Sequence, residues 1–153
     1  RELAALTLLL DAGKGAAAAL IARYLWGDNA AMVAGIFAFL GHCFPAWLGF
    51  KGGKGVAVYI GLLLGLNWPV GLIFCAVWLV IAFAQKYSSL AALTAAATAP
   101  VFAYVVSLYT NMDGIKFAAT TALLTLILIY QHRANIGRLL DGTEPKIGRR
   151  EKA

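Results

Sequence analysis

Long apolar runs, broken by short clusters of turn formers and charge, dominate the pattern along this chain. A bilayer core about 30 Å thick needs roughly 20 predominantly apolar residues per helix. Six runs meet or approach that length, over 3–25, 30–48, 55–67, 69–85, 89–109 and 115–131. The interruptions fall at Gly27-Asp28-Asn29, Gly49 to Lys54, Asn67-Trp68-Pro69, Lys86-Tyr87-Ser88 and Asn111-Met112-Asp113-Gly114, each suited to a turn. The third run is short and carries Gly61 and Gly65. That suits a half-helix, which is tolerated at membrane depth only where protein or a water-filled cavity covers it. The pattern predicts an all-α integral membrane protein, a polytopic helical bundle with about six transmembrane segments over residues 1–141 and a basic tail over 142–153.

Composition agrees. Hydrophobic residues make up 61% of the chain and charged residues 13%, against about 25% charged in soluble domains. So few charges could not cover a water-facing surface, so lipid must cover part of it. The net charge of +6 therefore points to anionic lipid, the positive-inside bias or a phosphorylated substrate rather than to nucleic acid. Cys43 and Cys75 lie in apolar runs without a CxxC pattern and read as packed thiols. With His42 and His132 the only histidines, no metal site is indicated.

If the runs alternate in direction, one end of the bundle receives Arg1, Lys51, Lys54, Lys86 and the tail from Arg133 to Lys152. The other receives Arg23, Asp28, Asp113 and Lys116. The excess of basic residues makes the first end cytoplasmic, and the chemically distinctive stretches fall there too.

The first of these stretches runs from Gly41 to Val56, GHCFPAWLGFKGGKGV. Lys51 to Gly55 form a glycine-rich loop that opens the next apolar helix. Glycines allow close backbone approach to an anion, successive N–H groups can form a nest, and a helix start adds positive potential. With Lys51 and Lys54 the loop fits a phosphate, although Gly55 stands where a nucleotide P-loop would need Ser or Thr. A basic inter-helix turn obeying the charge rule is the plainer alternative. The second stretch, Gln131 to Lys146, places His132, Asn135 and Arg138 at i, i+3 and i+6 on one side of a helix. They offer an acid/base or donor group, an amide and a guanidinium suited to phosphate oxygens. Arg133, Arg149 and Arg150 read as ordinary interfacial cations. Asp11 and Lys14, three residues apart inside the first run, form either a structural ion pair or part of a polar site. Ser88 and Ser89 suit a helix cap or a phosphate ligand.

In order and spacing these stretches resemble the signatures of the bacterial acyl-phosphate:glycerol-3-phosphate acyltransferases. The match comprises DAGKG from Asp11, GHCFPAWLGFKGGKGVAV from Gly41, KYSSL from Lys86 and QHRANIGRLLDGTEPK from Gln131. The resemblance implies a seven-helix protein of the bacterial inner membrane, of which this chain holds the last six helices, with active site and C-terminus cytoplasmic. It implies transfer of a fatty acyl group from acyl phosphate to the 1-hydroxyl of glycerol 3-phosphate, giving lysophosphatidic acid and phosphate. That is the first step of bacterial phospholipid synthesis, and it links the protein to the enzyme that makes acyl phosphate. No cofactor, metal or nucleic acid is implied. His132, Asn135 and Lys54 become the expected catalytic residues. Lys51, Gly52, Gly53, Gly55, His42, Ser88, Ser89, Arg138 and Glu144 become the expected substrate-binding ones. Three departures stand out: the family's first signature would lie upstream of Arg1, Gln131 stands where Arg is usual, and Val58 where Thr is usual. The first departure speaks against activity of the chain as given.

An anion transporter or channel using the same loop is a competing class, but no internal repeat favours it. A structural membrane subunit would leave the shared face of the polar motifs unexplained. An acyl-CoA enzyme with a His-x-x-x-x-Asp dyad is excluded, since the fifth residue after His42 is Trp47 and after His132 is Gly137.

Overall fold

A computed structural model describes residues 2–148. Arg1 and the end of the tail, Arg149, Arg150 and Lys152 included, lie outside the described residues. The described chain forms helices α1 (Glu2–Trp26), α2 (Asp28–Cys43), α3 (Val56–Gln85), α4 (Ser88–Ser107), α5 (Gly114–Gln131) and the short α6 (Arg133–Leu140). A single 3-10 turn, Ala46–Leu48, precedes the glycine loop. Five helices are long and apolar enough to cross a membrane. The expected runs 55–67 and 69–85 both lie in α3, where they remain two separate arms divided at Asn67.

The join is a reversal. Asn67 alone leaves helical geometry, with φ −157° and ψ 93°. Residues 59 and 74 of a straight helix would be about 22 Å apart along its axis, yet the rings of Tyr59 and Phe74 sit 5.3 Å apart. The arms 56–66 and 68–85 therefore fold against each other, and the first is the half-length, glycine-bearing segment expected from the sequence. Arg23 stabilises this turn. Its guanidinium donates to the carbonyls of Gly65 (2.9 Å) and Leu66 (2.6 Å), which lose their helical partners at Asn67, and pairs with Asp28 at 2.7 Å.

Small residues let α1 lie close along the first arm of α3. A β-carbon at Gly61 would run into the Ala12 carbonyl, and one at Gly15 would come within 2.6 Å of Val58 O. Buried Ala91, Ala92, Ala95, Ala96, Ala99 and Ala103 give α4 a similarly flat face between α3 and α5. Tyr59 ties the three helices: its hydroxyl donates to Thr121 O at 2.8 Å, and the adjacent Thr125 donates to Ala96 O at 2.8 Å. Large apolar side chains such as Leu9, Phe37 and Phe83 point outward, as a surface solvated by lipid requires. Cys43 and Cys75 are free thiols.

Candidate active site

The α3 reversal returns the chain to the end where α3 began, so Lys54 and the Ser88-Ser89 pair meet there. Between them opens a cavity of about 420 Å³, within the usual range for ligand pockets. Lys54, Ser88, Ser89, His132, Asn135 and Glu144 form its polar lining, and Leu8, Ile60 and Trp78 its apolar wall. The sequence singled out all six polar residues but not Trp78, which carried no signal distinct from any lipid-facing aromatic.

Each polar group is set by its element. The first helical hydrogen bond of α3 runs from Tyr59 N–H to Gly55 O. Val56 and Ala57 line the cavity, and their N–H groups precede that bond and lack an acceptor within the helix. With Lys54 beside them they make an anion-attracting corner. His132 closes α5, and its Nδ1 lies 2.9 Å from the Leu128 carbonyl. A carbonyl only accepts, so Nδ1 carries the proton and Nε2 keeps a free lone pair. Burial, with the charge of Lys54 nearby, pushes this imidazole below its ordinary pKa, outweighing the Leu128 bond.

Glu144, expected among the substrate-binding residues, lines the cavity and is held by three protein donors. Its Oε1 accepts from Ser89 Oγ (2.5 Å) and Asn135 Nδ2 (2.6 Å), and its Oε2 from Arg138 Nε at 2.7 Å. Burial pushes the carboxyl up, but these bonds and the Arg138 charge outweigh it and hold the group below the ordinary carboxylate range. A carboxylate with both oxygens engaged repels phosphate. Its geometry is that of a brace pinning the tail to α4 and α6. The brace is extended by Ile147 N–H bonding Lys86 O at 2.7 Å and by Lys146 over the Tyr87 ring. Ser89 gives its proton to this brace. Ser88 lines the cavity, and Tyr87 rather than either serine is the N-cap of α4.

The remaining expected residues lie on the other side of the loop. Lys14, His42, Lys51, Gly52 and Gly53 line a separate hollow of about 310 Å³. Lys14 Nζ bonds Asp11 at 2.6 Å and His42 Nδ1 at 2.9 Å, so the intramembrane pair expected from the sequence includes a histidine. The N–H groups of Gly52 and Gly53 are engaged by Cys43 O and His42 O. The nest expected over 52–55 is therefore narrowed to the start of α3. Gly55 makes that turn with φ +83°, and a β-carbon there would strike the Phe39 ring. Gln131, noted in the sequence only as a departure from a family pattern, donates from Nε2 to Cys43 O and Gly53 O, both at 3.1 Å.

Fold and site thus define a multi-pass membrane protein with a cavity lined by Lys54, two serines, His132, Asn135 and Glu144 at one end of its helices. Residues 1–142 match the model of the family described as glycerol-3-phosphate acyltransferase. A glycerol-3-phosphate acyltransferase of Bradyrhizobium sp. is 58% identical over 97% of this chain and 72% of its own length. One from Brucella ovis is 53% identical over 97% and 70%. Crystal structures of PlsY, an integral membrane glycerol 3-phosphate acyltransferase, match with a TM-score of 0.87 and 35% identity. They are a glycerol 3-phosphate form and a lysophosphatidic acid form, matched over 96% of this chain and 72% and 74% of theirs. The chain belongs to the glycerol-3-phosphate acyltransferase family, as its motifs implied.

Proposed function

We propose that the protein transfers a fatty acyl group from acyl phosphate to the 1-hydroxyl of glycerol 3-phosphate, releasing lysophosphatidic acid and phosphate. The observation that carries this reading is the convergence of Lys54, the first N–H groups of α3, Ser88, His132 and Asn135 on one cavity. Lys54 and the helix start hold phosphate oxygens, and Ser88 adds a hydroxyl ligand. Neutral His132 accepts a hydrogen bond from the attacking hydroxyl at Nε2, while the Asn135 amide oxygen, left free by the bond to Glu144, orients the glycerol backbone. The hydroxyl oxygen bonds to the acyl carbon as the acyl–oxygen bond to phosphate breaks, and the hydroxyl proton passes to His132 Nε2. Phosphate is a good leaving group, so alignment and charge stabilisation suffice without a covalent enzyme intermediate. Lys51 and the Gly52-Gly53 backbone hold the loop from behind, and His42 with Asp11 and Lys14 supports it. The basic end, with Lys51, Lys54, Lys86, Arg133 and Arg138, faces the cytoplasm of a bacterial cell and its inner membrane. That places the site within reach of a soluble enzyme supplying acyl phosphate.

The test supplies labelled glycerol 3-phosphate and either acyl phosphate or acyl-CoA to membranes containing the full-length protein. Lysophosphatidic acid is expected from acyl phosphate only. Product from acyl-CoA alone would overturn the donor assignment, and none from either, in folded protein, would return the anion-transport reading.

The state of His132 sets a pH limit. The neutral ring is the hydrogen-bond acceptor, so activity is present above its pKa and lost as pH falls through it. Its folded value lies below the ordinary 6.5, so the acid limb of kcat/KM is expected below pH 6.5. A limb above that value would exclude His132 from this role.

A further inference from the structure

The cavity depends on two residues from distant parts of the chain, Lys54 and His132, and each is preceded by a residue of one shared hydrogen-bonded junction. Gly53 precedes Lys54 and Gln131 precedes His132. Gln131 Nε2 lies 3.1 Å from Gly53 O and 3.1 Å from Cys43 O. Both neighbours are carbonyls, so the amide nitrogen must face them, and its two N–H groups are matched one to each. Cys43 O also accepts from Gly52 N–H at 3.1 Å, and His42 O accepts from Gly53 N–H at 3.2 Å. The end of α2, the glycine loop and the end of α5 therefore meet at a single side-chain amide.

We infer that Gln131 is a positioning residue that sets the separation of Lys54 and His132 across the cavity, through the bonds from its amide to Gly53 and Cys43. This rests on the function proposed above. Without the clamp the loop keeps its two bonds to α2 but loses its tie to α5. Lys54 then drifts relative to His132 while each remains on its own element. Loss of position about a phosphate-binding cation weakens substrate capture first, which appears in KM.

The experiment uses the full-length protein in membranes, with acyl phosphate as donor. Gln131→Glu keeps the shape but turns an oxygen towards two carbonyls, so the clamp opens. Gln131→Arg keeps donors that can reach both carbonyls. The expected result for Gln131→Glu is a KM for glycerol 3-phosphate raised about tenfold or more, with kcat within about twofold of wild type. For Gln131→Arg, KM is expected within about threefold of wild type. Thermal unfolding in detergent checks that both variants are folded. A wild-type KM in Gln131→Glu, a fall in kcat alone, or an Arg variant as impaired as the Glu variant would each overturn the inference. An inactive wild type would overturn the proposed function and this inference together, whereas an active wild type with an unaffected Gln131→Glu overturns this inference alone.

Discussion

Lys54→Ala is expected to lower kcat/KM for acyl transfer by about two to three powers of ten while leaving the fold intact. Lys54 is exposed and lines the cavity, with no side-chain hydrogen bond to another described residue, so its removal breaks no such bond. What is lost is the one full positive charge among the described residues that line the cavity, beside the start of α3. Removing one positioned donor to developing charge in an active site typically costs about 2.7–4 kcal/mol, and each 1.36 kcal/mol is about tenfold in rate. Lys54→Arg keeps the charge with a different donor geometry and should recover part of the loss. Parallel kinetics on the three proteins, with thermal unfolding as a control, check this. An alanine variant of near-wild-type kcat/KM would remove Lys54 from the site.

The residues that make this prediction possible were legible in the sequence because polar groups are expensive in a membrane protein. Against apolar runs, Lys54, Ser88, His132 and Asn135 stood out, and the alternation of runs sent them to one end; Glu144 entered through the family resemblance. The glycines of the first α3 arm and Asn67 marked a half-length segment and a turn, which the fold realises as a reversal inside one helix. What the sequence could not supply was the pairing among polar groups. A glycine-rich loop and a carboxylate look alike whether they face a ligand or each other. Only the fold shows the Gly52 and Gly53 N–H groups on α2 carbonyls and Glu144 on three protein donors. Gln131 was hidden for a related reason. A glutamine at a helix end gives no sign of whether its amide meets solvent or two carbonyls far away in the chain.

That division assigns the polar residues two tasks. Lys54, Ser88 and His132 Nε2 remain open to the cavity, so their substitution should change kinetics more than stability. Glu144 is held by Ser89, Asn135 and Arg138, so its substitution should change both. The tail needs this anchoring, because residues 143–148 form no helix of their own and Pro145 supplies part of the cavity wall.

Glu144→Ala tests the second task and is expected to cost stability and activity at once. Ser89 is 6% and Asn135 5% exposed, so both donors have little access to water when the carboxylate goes. Leaving a buried donor unmatched costs about 1–3 kcal/mol each. Arg138 is less affected: its side chain is 42% exposed, and water replaces most of a contact worth at most about 1 kcal/mol. The two donors together give about 2–6 kcal/mol, enough to lower the midpoint of thermal unfolding by several degrees or more. Asn135 then turns freely and the tail lifts from Lys86, so kcat/KM should fall by about a hundredfold or more. Glu144→Gln separates the contributions. Its remaining oxygen still accepts from Ser89 and Asn135, while its amide nitrogen faces Arg138, so it should lie between wild type and alanine in both readouts. If Glu144 instead touches substrate, the alanine variant will lose activity with an unchanged unfolding midpoint, and the brace assignment fails.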